Sequence, residues 1–356
     1  MSAFSALRSS KLVSWKPVQT LSHSFFYQLS TLWFRRKFNS FKRTLGYTYT
    51  KLFEFDVFVQ TGRLQQTLAG CVERSGVALH SGNVSTVRLC PARAGRGRFF
   101  DFCSNDFPAS VDFAEVSPLC TTLCKGGFRI RTVEHLLSAL EATGVDNCRI
   151  ELHNLDAQSQ GHEAEIPIFD GSAREWVAAV EEVGLKVAAD LYGNSVEKMA
   201  PHVNEPVYVS RNDSFVAAFP ADGVQITYGI NFPQAPAIGC QWFSTAPLDN
   251  LAYSMQIALS RTFCIYEEVE QMRNAGLIRG GSLENAIVCS ASKGWLNPPL
   301  HFSDEPCRHK ILDLIGDLSL FAQFGNQGLP VAHIVAYKAC KFGSFLPNIR
   351  YSHLSI

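Results

Sequence analysis

Residues 308–318, Arg308-His309-Lys310-Ile311-Leu312-Asp313-Leu314-Ile315-Gly316-Asp317-Leu318, are apolar apart from one polar line. His309, Asp313 and Asp317 stand four residues apart, so on a helix they share a face and drift only slowly around it. Ile311, Leu312, Leu314, Ile315 and Leu318 occupy the remaining faces. Such a helix is expected to be buried. Any fold the chain adopts must then supply partners for the carboxylates, because an unpaired buried charge costs too much. Two solutions are open. A divalent metal is one, since His and Asp one turn apart can both reach a single ion. A buried His–Asp ion pair, or an active-site hydrogen bond without metal, is the other.

A second polar interruption adds to the first. Residues 131–144 read as a helix over Val133–Ala142 stopped by Gly144. Val133, Leu136, Leu137 and Leu140 form its apolar face, while Glu134 and His135 stand together in the first turn. A Glu-His pair at a helix start is, by itself, most simply a solvated turn. Taken with His309 and Asp313, it supplies a third ligand and an adjacent carboxylate. That is the arrangement of a catalytic zinc site: three protein ligands, one open position and a general base. No H-E-x-x-H occurs in the chain, which sets a zinc peptidase aside.

Thr132-Val133-Glu134-His135-Leu136 with Asp146-Asn147, and Arg308–Asp313 with Gly316-Asp317, resemble the UDP-3-O-acyl-N-acetylglucosamine deacetylases (LpxC), zinc amidases of lipid A synthesis. Further blocks follow in that family's order: Gly76–Gly82, Glu165–Ser172, Ser260–Phe263 and Gly276–Ser282. The resemblance runs from about Leu64 to Ala339. It implies an α+β fold of two domains, each a β-sheet packed on helices, with the active site between the helical layers. It also implies Zn2+ held by His135, His309 and Asp313, with Glu134 as general base. The Thr262 hydroxyl would stabilise charge developing on the acetamide oxygen, and Asp317 would orient a catalytic histidine near the C-terminus. Lys310 and Phe263 are the substrate-binding candidates, against the plainer readings of a solvated lysine and a core phenylalanine. Ile265, Val269, Met272, Leu277 and Ile278 resemble the family's acyl-chain passage, although apolar residues at helical spacing are more often core. His80 is expected as a hydrogen-bonded structural residue and Cys120 as core lining, although the resemblance places Cys120 near the metal pocket and allows His80 near it. The substrate implied is a UDP-linked, 3-O-acylated N-acetylglucosamine, with peripheral membrane contact through its lipid.

Nine of the 32 basic residues and none of the 32 acidic ones precede Glu54, which leaves the rest of the chain near −9. A body so charged argues against nucleic acid as a partner. The basic leader, rich in Ser and Phe, has the composition of an organellar transit peptide, with a disordered tail or an upstream extension of the reading frame as the plainer readings. Its Arg and Phe content favours mitochondrion over plastid. Bacterial members of the family need no leader, so a plant-type homologue is implied. Hydrophobic content of 46% without an apolar run long enough to cross a bilayer indicates a soluble globular protein. Eleven cysteines with no C-x-x-C pair predict reduced, buried thiols.

The expected organisation is a leader over 1–62, a first domain over 63–190, a linker over 191–205, a second domain over 206–340 and a divergent tail over 341–356. Alternation in Val84–Leu89 and Cys148–Leu152 predicts half-buried strands, and Val207–Val209 and Ile226–Ile230 read likewise. Helices are predicted over Ala173–Val183, ended by Gly184, and over Glu267–Ala275, ended by Gly276. Residues 154–162 are longer than the family's direct passage to Glu-Ile-Pro and read as a surface loop, so His153 and His162 are not taken as ligands. No internal repeat is visible in the sequence.

The resemblance breaks at its end. After Ala336-Tyr337-Lys338-Ala339, where the family carries Gly-His, this chain has Cys340-Lys341. The missing histidine is the family's general acid, a role worth typically 10²–10⁴-fold. Asp317 would then lack its partner. Two functions follow: a zinc deacetylase, or a catalytically impaired zinc- and ligand-binding isoform of one.

Overall fold

The computed structural model describes residues 53–339, apart from 56, 116, 118, 155–161 and 298, together with 349–351. The leader up to residue 52, most of the 154–162 loop, Cys340, Lys341 and most of the tail lie outside the described residues.

Two five-stranded sheets carry the fold. The first runs, in spatial order, Val72–Val77, Val84–Pro91, Cys148–Asn154, Arg98–Phe102 and Asn105–Pro108. The second runs Val207–Arg211, Ser214–Pro220, Ala332–Tyr337, Gln225–Phe232 and Gly239–Ser244. Numbered within itself, each sheet has the order 1-2-5-3-4. In each, the last strand in sequence enters the middle, antiparallel to the second strand and parallel to the third. The chain therefore holds a structural repeat that its sequence does not display. The expected alternation appears in the central strand of the first sheet: Cys148, Ile150 and Leu152 are buried, while Arg149 and His153 face out.

Five α-helices occur among the described residues: α1 (Glu134–Ala142), α2 (Arg174–Val183), α3 (Asn250–Gln256), α4 (Tyr266–Asn274) and α5 (Glu305–Ser319). The bounds of α1, α2 and α4 agree with the sequence reading to within a residue, α5 begins three residues ahead of the 308–318 segment, and α3 has no counterpart in that reading. Gly144 stops α1 at φ 83°, with the Val145 N–H reaching the Leu140 carbonyl at 2.9 Å and the Gly144 N–H reaching Glu141 at 3.2 Å, a Schellman closure. Pro306 sits in the first turn of α5, where its missing N–H costs nothing.

α1 precedes the central strand of the first sheet and α5 that of the second, so these two helices are equivalent elements of the repeat. They pack on one another. Leu136, Leu137 and Leu140 from α1 and Ile311, Leu312, Leu314, Ile315 and Leu318 from α5 are buried. Burying each such side chain contributes about 1.5–3 kcal/mol. This apolar seam is what carries the polar groups of both helices inside. The α+β class and the sheet-on-helix arrangement are as expected.

Three expectations differ from the structure. Part of the segment read as a linker is a strand, Glu197–His202, paired antiparallel with Val57–Leu64. Order thus begins upstream of Arg63. The Gly193-Asn194 portion is a tight turn closed by the Asp190 carboxylate, which accepts the Tyr192 and Asn194 N–H groups at 2.8 Å. The cysteines are not all reduced, because Cys71 and Cys90 form a disulfide. They are cross-strand neighbours, directly beside the Val72–Leu89 pair of the first hairpin. Beyond these, Ile349–Tyr351 pairs in parallel with Phe53–Phe55. No helix among the described residues is long and apolar enough to cross a membrane.

Candidate metal centre

α1 contributes His135, and α5 contributes His309 and Asp313. Their nearest ligand atoms lie within 4.8 Å of one another. His309 Nε2 is 3.3 Å and His135 Nε2 3.5 Å from Asp313 Oδ1. Donor atoms about 2.1 Å from a tetrahedral zinc ion stand about 3.4 Å apart. The two imidazole-to-carboxylate separations match that spacing. The imidazole rings meet edge to face, with centroids 4.9 Å apart and planes at 86°. Both rings are buried, and Asp313 keeps 23% of its exposure, so the pocket opens on the Asp313 side.

Two of the three ligands are prepared by a neighbour, whereas the buried His135 Nδ1 has no hydrogen-bond partner among the described residues. His309 Nδ1 is 2.9 Å from the Ser260 carbonyl. A carbonyl only accepts, so Nδ1 carries the proton and Nε2 keeps its lone pair for a metal. Burial, with the approach of His135, lowers the His309 pKa to about 4 against the pull of Asp313, and the ring is neutral at physiological pH. Burial would raise the Asp313 carboxyl. In the acid range where Asp313 titrates His309 is protonated, and its charge, that of Lys310 and the bond from His135 outweigh burial and hold Asp313 well below the usual carboxylate range.

Two further carboxylates close the floor. Burial, then the Cys120 thiol and Asp313, push Glu134 well above the ordinary range. Asp317 is raised to about 7, by burial first and then by Asp313, with the Thr121 hydroxyl opposing. Thr121 joins the two: its N–H donates to Glu134 Oε2 at 3.1 Å and its hydroxyl to Asp317 Oδ1 at 2.5 Å. Asp317 is thus bonded by a residue that carries no sequence signal of its own. Half-buried Cys120 lies within 3.6 Å of Thr122 Oγ1 and beside Glu134, so it borders the pocket instead of lining the core.

The turn entering α1 is strained. Thr132, buried and β-branched, adopts φ 60°, a region such residues rarely occupy. The buried Glu165 carboxylate holds it there. One oxygen accepts the Thr132 hydroxyl at 3.3 Å and the His80 N–H at 2.7 Å, and the other accepts the Ser81 N–H at 2.9 Å. Glu165 thereby ties the tip of the first hairpin to the turn that aims Glu134 and His135. The His80 main chain is bonded, but both its ring nitrogens are buried with no hydrogen-bond partner among the described residues, which departs from the expected hydrogen-bonded role.

Lys310 Nζ is 2.8 Å from Asp313 Oδ2 and 5.6 Å from the centre of the Phe263 ring. Phe263 in turn packs edge to face on Phe232. Thr262 is fixed through its main chain, donating to Gly171 at 2.7 Å and accepting from Ile287 at 2.8 Å. Gly171, at φ 86°, has no room for a side chain, because a Cβ would lie 2.3 Å from the Asn285 carbonyl and 3.0 Å from Thr262 Cγ2. α4 buries none of its residues fully. Val269 and Met272 are half-buried and Leu277 is exposed, whereas Ile265 and Ile278 are buried, so only part of this segment is core.

Residues 65–341 match the family described as LpxC, UDP-3-O-acyl N-acetylglycosamine deacetylase. A relative from Arabidopsis thaliana named "Probable UDP-3-O-acyl-N-acetylglucosamine deacetylase 1, mitochondrial" is 66% identical over 279 residues, 78% of this chain and 85% of the relative. A cyanobacterial relative from Trichormus variabilis, named "UDP-3-O-acyl-N-acetylglucosamine deacetylase", is 45% identical over 282 residues, 77% of this chain and 93% of its own length. One from Thermosynechococcus vestitus with the same name is 42% identical over 279 residues, 77% of this chain and 89% of the relative. With a match over most of its length and with these relatives, the chain belongs to the LpxC family of UDP-3-O-acyl-N-acetylglucosamine deacetylases.

Proposed function

We propose that this protein is a zinc-dependent amidohydrolase that removes the acetyl group from UDP-3-O-acyl-N-acetylglucosamine, releasing acetate in lipid A synthesis. The observation that carries the proposal is the meeting of His135, His309 and Asp313 beside the buried Glu134 carboxylate. Two nitrogens and one oxygen form a donor set suited to zinc. Zinc bound there would act as a Lewis acid and lower the pKa of its water to about 7.

The protein's own residues do the rest. Glu134, with its raised proton affinity, takes the proton from the attacking water and holds it for the departing amine. The Thr262 hydroxyl donates to the acetamide oxygen as negative charge builds there. Asp317, bonded to Thr121, helps hold this proton-bearing floor in place. Lys310 meets the sugar hydroxyls or the diphosphate, and Phe263 together with the half-exposed apolar side of α4 receives the acyl chain. The two like-ordered sheets with their helices correspond to two domains, 63–190 and 206–340, with the site between α1 and α5. The mitochondrial names of the plant relatives and the basic leader support import into mitochondria.

Cys340-Lys341 favours a second reading, a zinc-binding isoform with impaired turnover, because the family's general-acid histidine is absent from that place. One experiment tests both. The purified protein is expected to hold one zinc per chain and to release acetate from the UDP-sugar faster than Glu134→Ala. Zinc without acetate release would select the impaired isoform. If Cys340→Gly with Lys341→His then raises turnover at least tenfold, the missing histidine is the defect; no stoichiometric zinc at all would overturn both readings.

A further inference from the structure

We propose that Glu305 is a positioning residue for this reaction: its buried carboxylate fixes Ser260-Arg261-Thr262 to the first turn of α5 and so sets both the His309 imidazole and the Thr262 hydroxyl. The inference rests on the deacetylase reading above and assigns a role that the ligand set alone does not.

Glu305 has no exposed surface, and both its oxygens are filled. Oε1 accepts the Arg261 main-chain N–H at 3.0 Å and Arg261 Nε at 2.9 Å. Oε2 accepts Arg261 Nη2 at 3.2 Å and the His301 main-chain N–H at 2.6 Å. A glutamate in the first turn of a helix is favoured by the helix dipole, but that needs no burial. Here the carboxylate reaches sideways to a single residue of another segment. That residue is flanked by the two groups the chemistry uses. On one side Ser260 offers the carbonyl that takes the His309 Nδ1 proton at 2.9 Å, and on the other stands Thr262.

The bonds close a ring. From Glu305 one turn of α5 leads to His309, a hydrogen bond leads to Ser260, one peptide leads to Arg261, and three hydrogen bonds return to Glu305. Within this ring the imidazole cannot turn without breaking a buried bond. Arg261 Nη2 and His301 Nδ1 extend the clamp, donating to the Pro299 and Leu259 carbonyls at 2.8 and 2.9 Å. A glutamine would present an amide N–H₂ where an oxygen now faces donors, so at least one side of the clamp would open.

The test uses the full chain as wild type, Glu305→Gln, Glu305→Asp and, as a control, Glu141→Gln. Glu141 is also a buried carboxylate, but it lies at the far end of α1, paired with Arg98 and accepting the Gly328 and Leu329 N–H groups at 2.9 Å. Zinc affinity is measured by competition with a chromophoric chelator, ligand field by cobalt substitution, and kcat and KM by acetate release. In metal-free protein, the ¹⁵N spectrum of the His309 ring reads the Nδ1–H form. Glu305→Gln should weaken zinc binding at least tenfold, shift the cobalt absorption band, mix the His309 tautomers and lower kcat at least tenfold with KM changed less than threefold. Glu305→Asp should show the same pattern, smaller, and carries the comparison if the Gln variant does not fold. Glu141→Gln should lose thermal stability but keep zinc affinity within about twofold and the cobalt spectrum unchanged. The proposal is overturned if Glu305→Gln or →Asp loses stability as the control does yet keeps the zinc affinity, cobalt spectrum and His309 ¹⁵N shifts of the wild type. A wild type that binds zinc but releases no acetate would sink the deacetylase reading instead, leaving the zinc, cobalt and ¹⁵N comparisons to decide the role of Glu305.

Discussion

Gly316 of α5 lies against the main chain of Glu134 on α1, so close that a Cβ at 316 would sit 2.1 Å from the Glu134 carbonyl oxygen. The helices that bring the ligands together are therefore spaced by a missing side chain. Gly316→Ala forces backbone apart from backbone. We expect a loss of roughly 1–3 kcal/mol in urea unfolding, as for an overpacked core, and zinc binding weakened at least tenfold as His135 moves from His309 and Asp313. A variant with wild-type zinc affinity would show that the helix spacing does not set the site.

The ligands and the base should separate cleanly. His309→Ala and Asp313→Ala are each expected to lose stoichiometric zinc. Glu134→Ala is expected to keep it while acetate release falls by about 10²-fold or more. Metal analysis after gel filtration, run beside the turnover assay, reads both. Zinc loss in Glu134→Ala would move that residue from base to ligand.

Asp317 gives the metal-free protein a pH signature. Its carboxyl is raised to about 7, so it is protonated in the folded state where the unfolded chain has already ionised. Its contribution is fully present below about pH 4 and is lost as pH rises through 7. Asp317→Asn cannot titrate. Between pH 5 and 8 the chelated wild type should therefore lose stability relative to Asp317→Asn, by on the order of a few kcal/mol. Parallel urea midpoints for the two proteins across that range would refute the assignment.

Thr132 should invert the usual order of small residues. At an ordinary position, glycine is less stable than alanine. Here φ is 60°, and a residue with a Cβ carries about 1–2 kcal/mol of strain in that region. Both Thr132→Ala and Thr132→Gly lose the bond to Glu165. The glycine variant should nevertheless melt higher than the alanine variant, a comparison that thermal unfolding decides directly.

At the other end of the helix pair, Arg98 and Glu141 form a buried ion pair, and Arg98 also reaches the Ser319 carbonyl at 3.4 Å. Breaking one partner leaves an uncompensated buried charge, a cost of about 3–5 kcal/mol. Arg98→Met should be that severe. Adding Glu141→Gln, which keeps an acceptor for Gly328 and Leu329, should recover part of the loss, with the coupling read from a double-mutant cycle.

The candidate metal ligands were legible because local periodicity reports them. His309 and Asp313 are one turn apart in an otherwise apolar helix, and Glu134-His135 interrupts another. Thr121, Glu165 and Glu305 were not, because each acts through a partner distant in sequence, and a lone Thr or Glu carries no spacing signal. The end of α1 followed from Gly144, whereas Glu197–His202 was misread because Pro201 and the Gly193 turn resemble a linker. That strand belongs to a two-stranded pair, where a proline at an edge is tolerated. The Cys71–Cys90 pairing depends on hairpin register, which composition does not reveal. The 1-2-5-3-4 order common to both sheets lies in hydrogen bonding between strands, so no motif in the letters betrays it.

That duplicated architecture divides the ion's cage unequally. The earlier unit owns one imidazole and the later unit owns the other two donors, so neither can load the metal by itself. On the zinc reading, both helices must therefore be in place before an ion could be held.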